Sequence, residues 1–351
     1  MTGQKSRGAT GVVRDVRFLD HNYGAGHIEG PERLESIYAS LRTEPILPLT
    51  PIEPRPATVE EIAHIHSPEY VAFISRTAGK RYLQLDPDTS VTARSFDTAL
   101  LAAGGTMQAA DAIMAGEIRN GFSLVRPPGH HAERNGARGF CLFNNVAVTA
   151  DHLIRRHGLK RILIADWDLH HGNGTQHAFY ERDDVLYFST HQFPYYPGSG
   201  YWDETGAGAG EGFTVNVPLT AGKTDRDYAW IYRNMLGSVA RAFRPEFILV
   251  SAGFDILDGD PLGGMRLTRA GTAALTAEVM ALAEELCRGR LLFVLEGGYD
   301  LLGLAEGVKS VFAQLVGEAG PTTVRAEIEP AARLEIEPFR HFHGSRWPLS
   351  F

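Results

Sequence analysis

Short apolar runs alternate along this chain with longer stretches of helical period. Strands are expected at Gly121–Arg126, Arg161–Asp166, Val185–Ser189, Phe247–Ser251 and Leu291–Leu295. Helices are expected near Asn145–Arg156, Asp225–Ala242, Thr268–Cys287 and Leu301–Leu315. Strand succeeded by helix, repeated, predicts a parallel sheet. Phe247-Ile248-Leu249-Val250 is apolar at every position, so both faces of that strand should be buried under helices. The expected fold class is α/β, in three α/β/α layers with a mainly parallel sheet. In such sheets the ligand site lies beyond the carboxyl ends of the strands.

The flanks are less regular. Glu32–Arg42 has helical spacing, with Pro31 placed as its first residue, and Val59–Ile74 suggests two short helices broken by Pro68. Phe213–Val217 looks like a further strand. Gly206, Gly208, Gly210 and Gly212 precede it, and because no strand leads into them a flexible loop is expected rather than a nucleotide-binding one. In the tail, Ala326–Pro330 and Leu334–Pro338 are near-duplicates, too few for a repeat architecture. The expected organisation is a single domain over 1–318 and a C-terminal arm over 319–351, packed on the domain or on a neighbouring subunit of a homo-oligomer.

Composition narrows the class. With 351 residues, 44% of them hydrophobic, and no Pro/Ser-rich or charged linker, one large core is expected. A net charge of −8 speaks against a nucleic-acid surface and suits a cationic substrate. Cys141 and Cys287 are too few for a disulfide framework or a thiolate zinc cluster, which points to a reducing compartment. Residues 1–11 are polar and no apolar run reaches ~18 residues, so a soluble, cytoplasmic protein without membrane contact is expected. The sequon Asn173-Gly174-Thr175 is taken as coincidental.

The segments just beyond the strands carry the chemistry. After Arg161–Ala165 comes Asp166-Trp167-Asp168-Leu169-His170-His171-Gly172-Asn173-Gly174. Asp168 and His170, two apart on a strand end, project to the same side and can share an ion. With Asp255, after Phe247–Ser251, they form a three-ligand set with positions left for water and a substrate oxygen, the catalytic pattern for zinc. Two carboxylates and one imidazole form a hard set, so Fe(II) is the alternative to zinc.

His130 and His131, after Pro127-Pro128-Gly129, are two candidates for the base that takes a proton from water. Asp166 and Asn173 are available to orient their rings; a carboxylate behind one and an amide behind the other would separate their proton affinities. Tyr299, after Glu296-Gly297-Gly298, is placed to donate to a developing oxyanion.

Pro127-Pro-Gly-His-His-Ala-Glu133, Gly139-Phe-Cys141, Asp166-Trp-Asp-Leu-His-His-Gly-Asn-Gly-Thr-Gln176, Ser251-Ala-Gly-Phe-Asp255 and Glu296-Gly-Gly-Tyr299 together resemble the metal-dependent histone deacetylase superfamily over roughly residues 13–316. Asn173 and the Glu-Gly-Gly-Tyr motif make the chain similar to its class II and bacterial amidohydrolase branch. The resemblance implies the arginase-deacetylase fold with an eight-stranded sheet. It implies metal ligation by Asp168, His170 and Asp255, His131 as base and then acid, His130 as its electrostatic neighbour, and Tyr299 clamping the carbonyl.

It further implies potassium held by Asp166, the backbone of Asp168 and His170, and Ser189 with Thr190, and a second potassium at carbonyls around Phe179, Arg182, Val185 and Phe213. A substrate tunnel would be walled by Gly139, Phe140 and Tyr196, with Asp88 at its rim and Arg33 at an acetate exit. Polyamine-specific relatives carry a glutamate where Leu262 succeeds Asp260-Pro261, so an acyl-lysine substrate is expected over an acylated polyamine. The competing readings are hydrolysis of acetylpolyamines or other small N-acyl amines, a non-catalytic acyl-lysine binding module, and a ureohydrolase. The last would need further carboxylates beside Asp255, where Ile256-Leu257 offers none.

Overall fold

Eight parallel strands make one sheet, and the loops bearing the histidine pair, the metal-type donors and the tyrosine leave neighbouring strands of it. The computed structural model describes residues 8–23, 26–320, 324–349 and 351. The polar stretch 1–7 and residues 321–323 of the tail lie outside these. The strands are β1 (Thr10–Val13), β2 (Leu49–Ile52), β5 (Asn120–Ser123), β6 (Ile162–Asp166), β7 (Val185–Gln192), β8 (Thr214–Leu219), β9 (Phe247–Ala252) and β10 (Leu291–Leu295), with a separate small hairpin of β3 (Leu83–Gln84) and β4 (Ser90–Val91). Their order is β2-β1-β5-β10-β9-β6-β7-β8. β5, β10, β9 and β6 are therefore adjacent, although they are drawn from a stretch that reaches from Asn120 to Leu295.

Every residue of β6, β9 and β10 is buried, as their apolar runs require. Helices α4 (Ser95–Ala115) and α5 (Asn145–His157) pack together, as do α1 (Glu32–Thr43), α9 (Arg269–Cys287) and α10 (Leu301–Val316). Local chemistry sets where helices begin and end: the Asn144 side chain accepts from Ala147 N, Asp300 from Gly303 N, and Gly116, at φ 77°, ends α4. Phe122 of β5 packs on Phe293 of β10, Phe254 and Phe312, a buried aromatic layer in which each side chain contributes roughly 1.5–3 kcal/mol of burial.

Several expectations need correction. The strand expected over Gly121–Arg126 ends at Ser123, because Arg126 turns aside to an ion pair with Glu29 and Pro127 and Pro128 have no N–H for a ladder. Pro31 is the cap before α1 rather than its first residue, whereas Pro68 opens α3 (Pro68–Ser75) after α2 (Val59–Ala63). The helix expected over Asp225–Ala242 is split into α7 (Asp225–Ile231), a π turn at Tyr232–Leu236, and α8 (Gly237–Phe243). That turn brings the Tyr232 hydroxyl within 3.3 Å of the Asp166 carbonyl. The glycine-rich loop is closely packed, since a side chain on Gly206 or Gly210 would collide with backbone.

The near-duplicate Glu-Pro sequences mark helix starts: Pro330 opens α11 (Pro330–Glu335) and Pro338 opens α12 (Pro338–His343). This tail lies against the chain's own β8 side. Glu335 accepts from Thr220 N and Lys223 Nζ, both at 3.0 Å, and the buried Trp347 packs on Phe213 and donates to the Gly212 carbonyl. Among the described residues no helix is long and apolar enough to cross a membrane.

Candidate active site

Asp168, His170 and Asp255 leave two strands that are neighbours in the sheet, so side chains 87 positions apart at the extremes meet at one point. Their donor atoms lie within 4.8 Å of one another. His170 Nδ1 is 3.2 Å from both Asp168 Oδ1 and Asp255 Oδ2. One ring nitrogen cannot satisfy both carboxylates, and Asp255 Oδ2 is buried without a properly directed hydrogen bond. Burial and the Asp168 charge push the Asp255 carboxyl up to about 6. Two buried carboxylates that share one imidazole and leave an oxygen unpaired fit a divalent cation. Glycine surrounds them by necessity: a side chain on Gly253 would strike Asp168, and one on Gly297 would strike both carboxylates.

The histidine pair has two different partners. His130 Nδ1 is 3.1 Å from Asp166 Oδ2, whereas His131 Nδ1 is 2.7 Å from Asn173 Oδ1. Burial opposes a charge on His130, but Asp168, Asp166 and Glu296 outweigh it and raise its pKa to about 10. Burial, with the neighbouring His130 and His170, drives His131 well below its ordinary value. The two rings, 4.0 Å apart, are thus held with opposite proton affinities, and the neutral one is His131. With Nδ1 on Asn173, Nε2 is the basic nitrogen.

Tyr299 borders the same cavity, of about 240 Å³, with Asp88, His130, His131, Gly139, Phe140, His170, Tyr196 and Leu262. Gly298, at φ 121°, turns the ring inward. Phe140 meets Tyr299 edge to face at 5.9 Å, and Tyr196 meets His131 likewise at 5.1 Å. Arg33 is fully buried behind Tyr299 rather than in the cavity wall. Its guanidinium lies 4.9 Å from the tyrosine ring and donates to the Gly298 and Glu296 carbonyls and to Glu29.

The remaining expected residues also fall near the end of β6. Asp166 Oδ1 accepts from Asp168 N at 3.1 Å and Oδ2 from the Tyr187 hydroxyl at 2.9 Å. Thr190 Oγ1 is 3.4 Å from the Asp166 carbonyl, and Ser189 Oγ is 2.9 Å from His191 Nδ1. His171 has both ring nitrogens occupied, by Ser199 and Gln176, which leaves it no part in the cavity. Asp111, His152 and His157 also cluster, but there the carboxylate already pairs with both imidazoles, at 2.8 and 2.6 Å, and Arg156 adds a positive charge.

Sequence reasoning missed the supports. Glu296 is fully buried and accepts from Gly129 N at 2.7 Å and His130 N at 3.1 Å, anchoring the histidine loop to the end of β10. Asp260 takes Leu262 N on one oxygen and Tyr299 N and Asp300 N on the other, tying the cavity mouth to the tyrosine. Tyr195, beside Tyr196, lines the cavity and stacks on His170 at 5.7 Å. A carboxylate directly after a fully apolar strand was the available signal for Glu296; for Tyr195 there was none.

Residues 27–315 match the family described as Histone deacetylase domain. The chain is 43% identical over 297 residues to a probable deacetylase of Archaeoglobus fulgidus, covering 84% of this chain and 82% of that one. It is 42% identical over 316 residues to polyamine deacetylase HDAC10 of Homo sapiens, covering 84% of this chain and 45% of that one, so it spans less than half of the human protein. A crystal structure of the HDA15 HD domain matches with a TM-score of 0.90 and 38% identity, over 97% of this chain and 96% of that one. The match to this family and to proteins named deacetylases makes the chain an amide hydrolase. The chain belongs to the histone deacetylase family.

Proposed function

We propose that this protein removes acetyl or other short acyl groups from lysine side chains, with a divalent metal, zinc before Fe(II), held by Asp168, His170 and Asp255. The observation that carries the reading is one cavity bordered at once by a neutral histidine fixed through Nδ1, a tyrosine and His170, whose ring meets Asp168 and Asp255. A bound divalent ion supplies Lewis acidity there, which acidifies water and polarises an acyl carbonyl. His131 Nε2 accepts the proton of the attacking water and returns it to the departing amine. The Tyr299 hydroxyl donates to the oxygen on which charge develops. Phe140 and Tyr196 flank the aliphatic stem of the substrate, and potassium near Asp166, Ser189 and Thr190 is part of the same proposal.

Hydrolysis of acylated polyamines is the second reading, favoured by the 42% identity to a human protein named a polyamine deacetylase. Leu262 at the cavity weighs against it, because it offers no carboxylate to a distal ammonium. Turnover of acetyl-lysine peptides of several acyl lengths, measured beside acetylspermidine with zinc and with anaerobic Fe(II), decides between them: equal or faster turnover of acetylspermidine overturns the lysine reading. Tyr299→Phe should lower kcat by roughly 10²–10³-fold with metal content unchanged. Near-normal kcat would remove Tyr299 from the mechanism.

A further inference from the structure

The amide behind His131 has a partner of its own. Asn173 and His177 lie four residues apart on α6 (Asn173–Phe179), on one face of the helix, and both meet Glu133. Asn173 Nδ2 donates to Glu133 Oε1 at 2.5 Å and, more weakly, to the His131 carbonyl at 3.4 Å. His177 Nδ1 lies 2.9 and 3.0 Å from the two oxygens of the same carboxylate, and its ring is half exposed. α6 sits so close to this loop that a side chain on Gly174 would collide with the Ala132 carbonyl.

An ionised carboxylate is an acceptor only, so the nitrogen end of the Asn173 amide must face Glu133. The oxygen end must then face His131 Nδ1, at 2.7 Å, and that nitrogen must carry the proton. Without Glu133 the amide has one weak reason to keep this orientation. Flipped, it would present N–H to Nδ1, favour the tautomer protonated at Nε2, and leave no lone pair to take a proton from water. An aspartate at 173 would need no such control, since both its oxygens accept.

We propose that Glu133 is a positioning residue that fixes the Asn173 amide and through it the reactive tautomer of His131, with His177 holding the carboxylate from the solvent side. The inference rests on His131 as the base. Steady-state kinetics of Glu133→Ala, Glu133→Gln, Asn173→Asp and the Glu133→Ala/Asn173→Asp double variant test it, with melting temperature and metal content measured on each. Glu133→Ala should lower kcat about 10–100-fold, within the range of a misplaced general base, with KM changed by less than about threefold. Glu133→Gln, which still offers an oxygen to Asn173, should recover most of that loss. In the Asn173→Asp background, removal of Glu133 should cost nothing or raise kcat, because two facing carboxylates repel.

A kcat for Glu133→Ala within twofold of the parent overturns the proposal. So does an equal loss in both backgrounds, or a loss that tracks melting temperature alone. His131→Ala is the control. Full activity there sinks the assignment of the base and this inference with it; inactivity there beside an unaffected Glu133→Ala sinks only the inference.

Discussion

Glu29, buried between two guanidiniums, and the buried pair Asp168 and Asp255 meet the same electrostatic problem in different ways. Glu29 is saturated from within the chain. Its Oε1 accepts from Arg126 Nε at 2.5 Å and Arg33 Nη1 at 3.1 Å, and its Oε2 from Arg126 Nη2 at 2.8 Å. Burial opposes its charge, but Arg126 and Arg33 outweigh burial and hold the carboxyl down at about 2. Asp168 and Asp255 share the His170 imidazole; Asp168, which His130 also faces, is held well below its ordinary value, whereas the Asp255 carboxyl is pushed up, to about 6. Glu29 is neutralised by its own chain, whereas Asp255, one of the proposed metal ligands, is left with an unpaired buried oxygen and too little positive charge.

Substitutions in each cluster should pull the two apart. Asp255→Asn should lower kcat by ~10³-fold or more, several kcal/mol of lost transition-state stabilisation, while the metal-free protein melts no lower than the parent because a carboxylate repulsion is relieved. Calorimetry with and without zinc checks it: the parent should gain stability with the ion, by about 2.7 kcal/mol at 100-fold over its Kd, and the variant should not. A metal-free variant that melts well below the parent would show the second cluster to be as structural as the first.

Glu29→Gln should act in the opposite sense, costing about 3 kcal/mol of stability by leaving two buried guanidiniums without their counter-charge. The pH dependence has a definite sign. A carboxyl held at about 2 in the folded state, against an ordinary 4.5, contributes stability that is full above 4.5 and lost as pH falls through 2. Denaturant titrations between pH 5 and 2 should therefore be steeper for the parent than for Glu29→Gln; equal slopes would detach Glu29 from acid unfolding. The smallest effect belongs to Asp111→Asn. Its cluster has the same donor types as the metal set but lies partly exposed between two helices, so the change should cost under about 1 kcal/mol and leave kcat alone.

The legible part of this fold was its periodicity. β10 and α9 stand where the apolar pattern places them, since burial on both faces of a strand and on one stripe of a helix is a local demand. The π turn at Tyr232 was not legible, because it serves a contact with Asp166 from a strand 66 residues away. The same division runs through the site. Asp168, His170 and Asp255 could be read from their types at strand ends, whereas Glu133, quoted only as the last residue of the histidine motif, carried no sign of the amide it faces.

By itself the sequence determined that strands and helices alternate, that metal-type donors, a histidine pair and a tyrosine stand just beyond particular strands, and which family these motifs resemble. Those are properties of residue type and spacing, which any chain displays before it folds. Only the tertiary structure decided that β5, β10, β9 and β6 are neighbours, which histidine backs onto Asp166 and which onto Asn173, and that Glu133 faces the amide from behind. Hydrogen-bond direction and the pairing of buried charge depend on atoms a few ångströms apart in space, and separation along the chain carries no record of them.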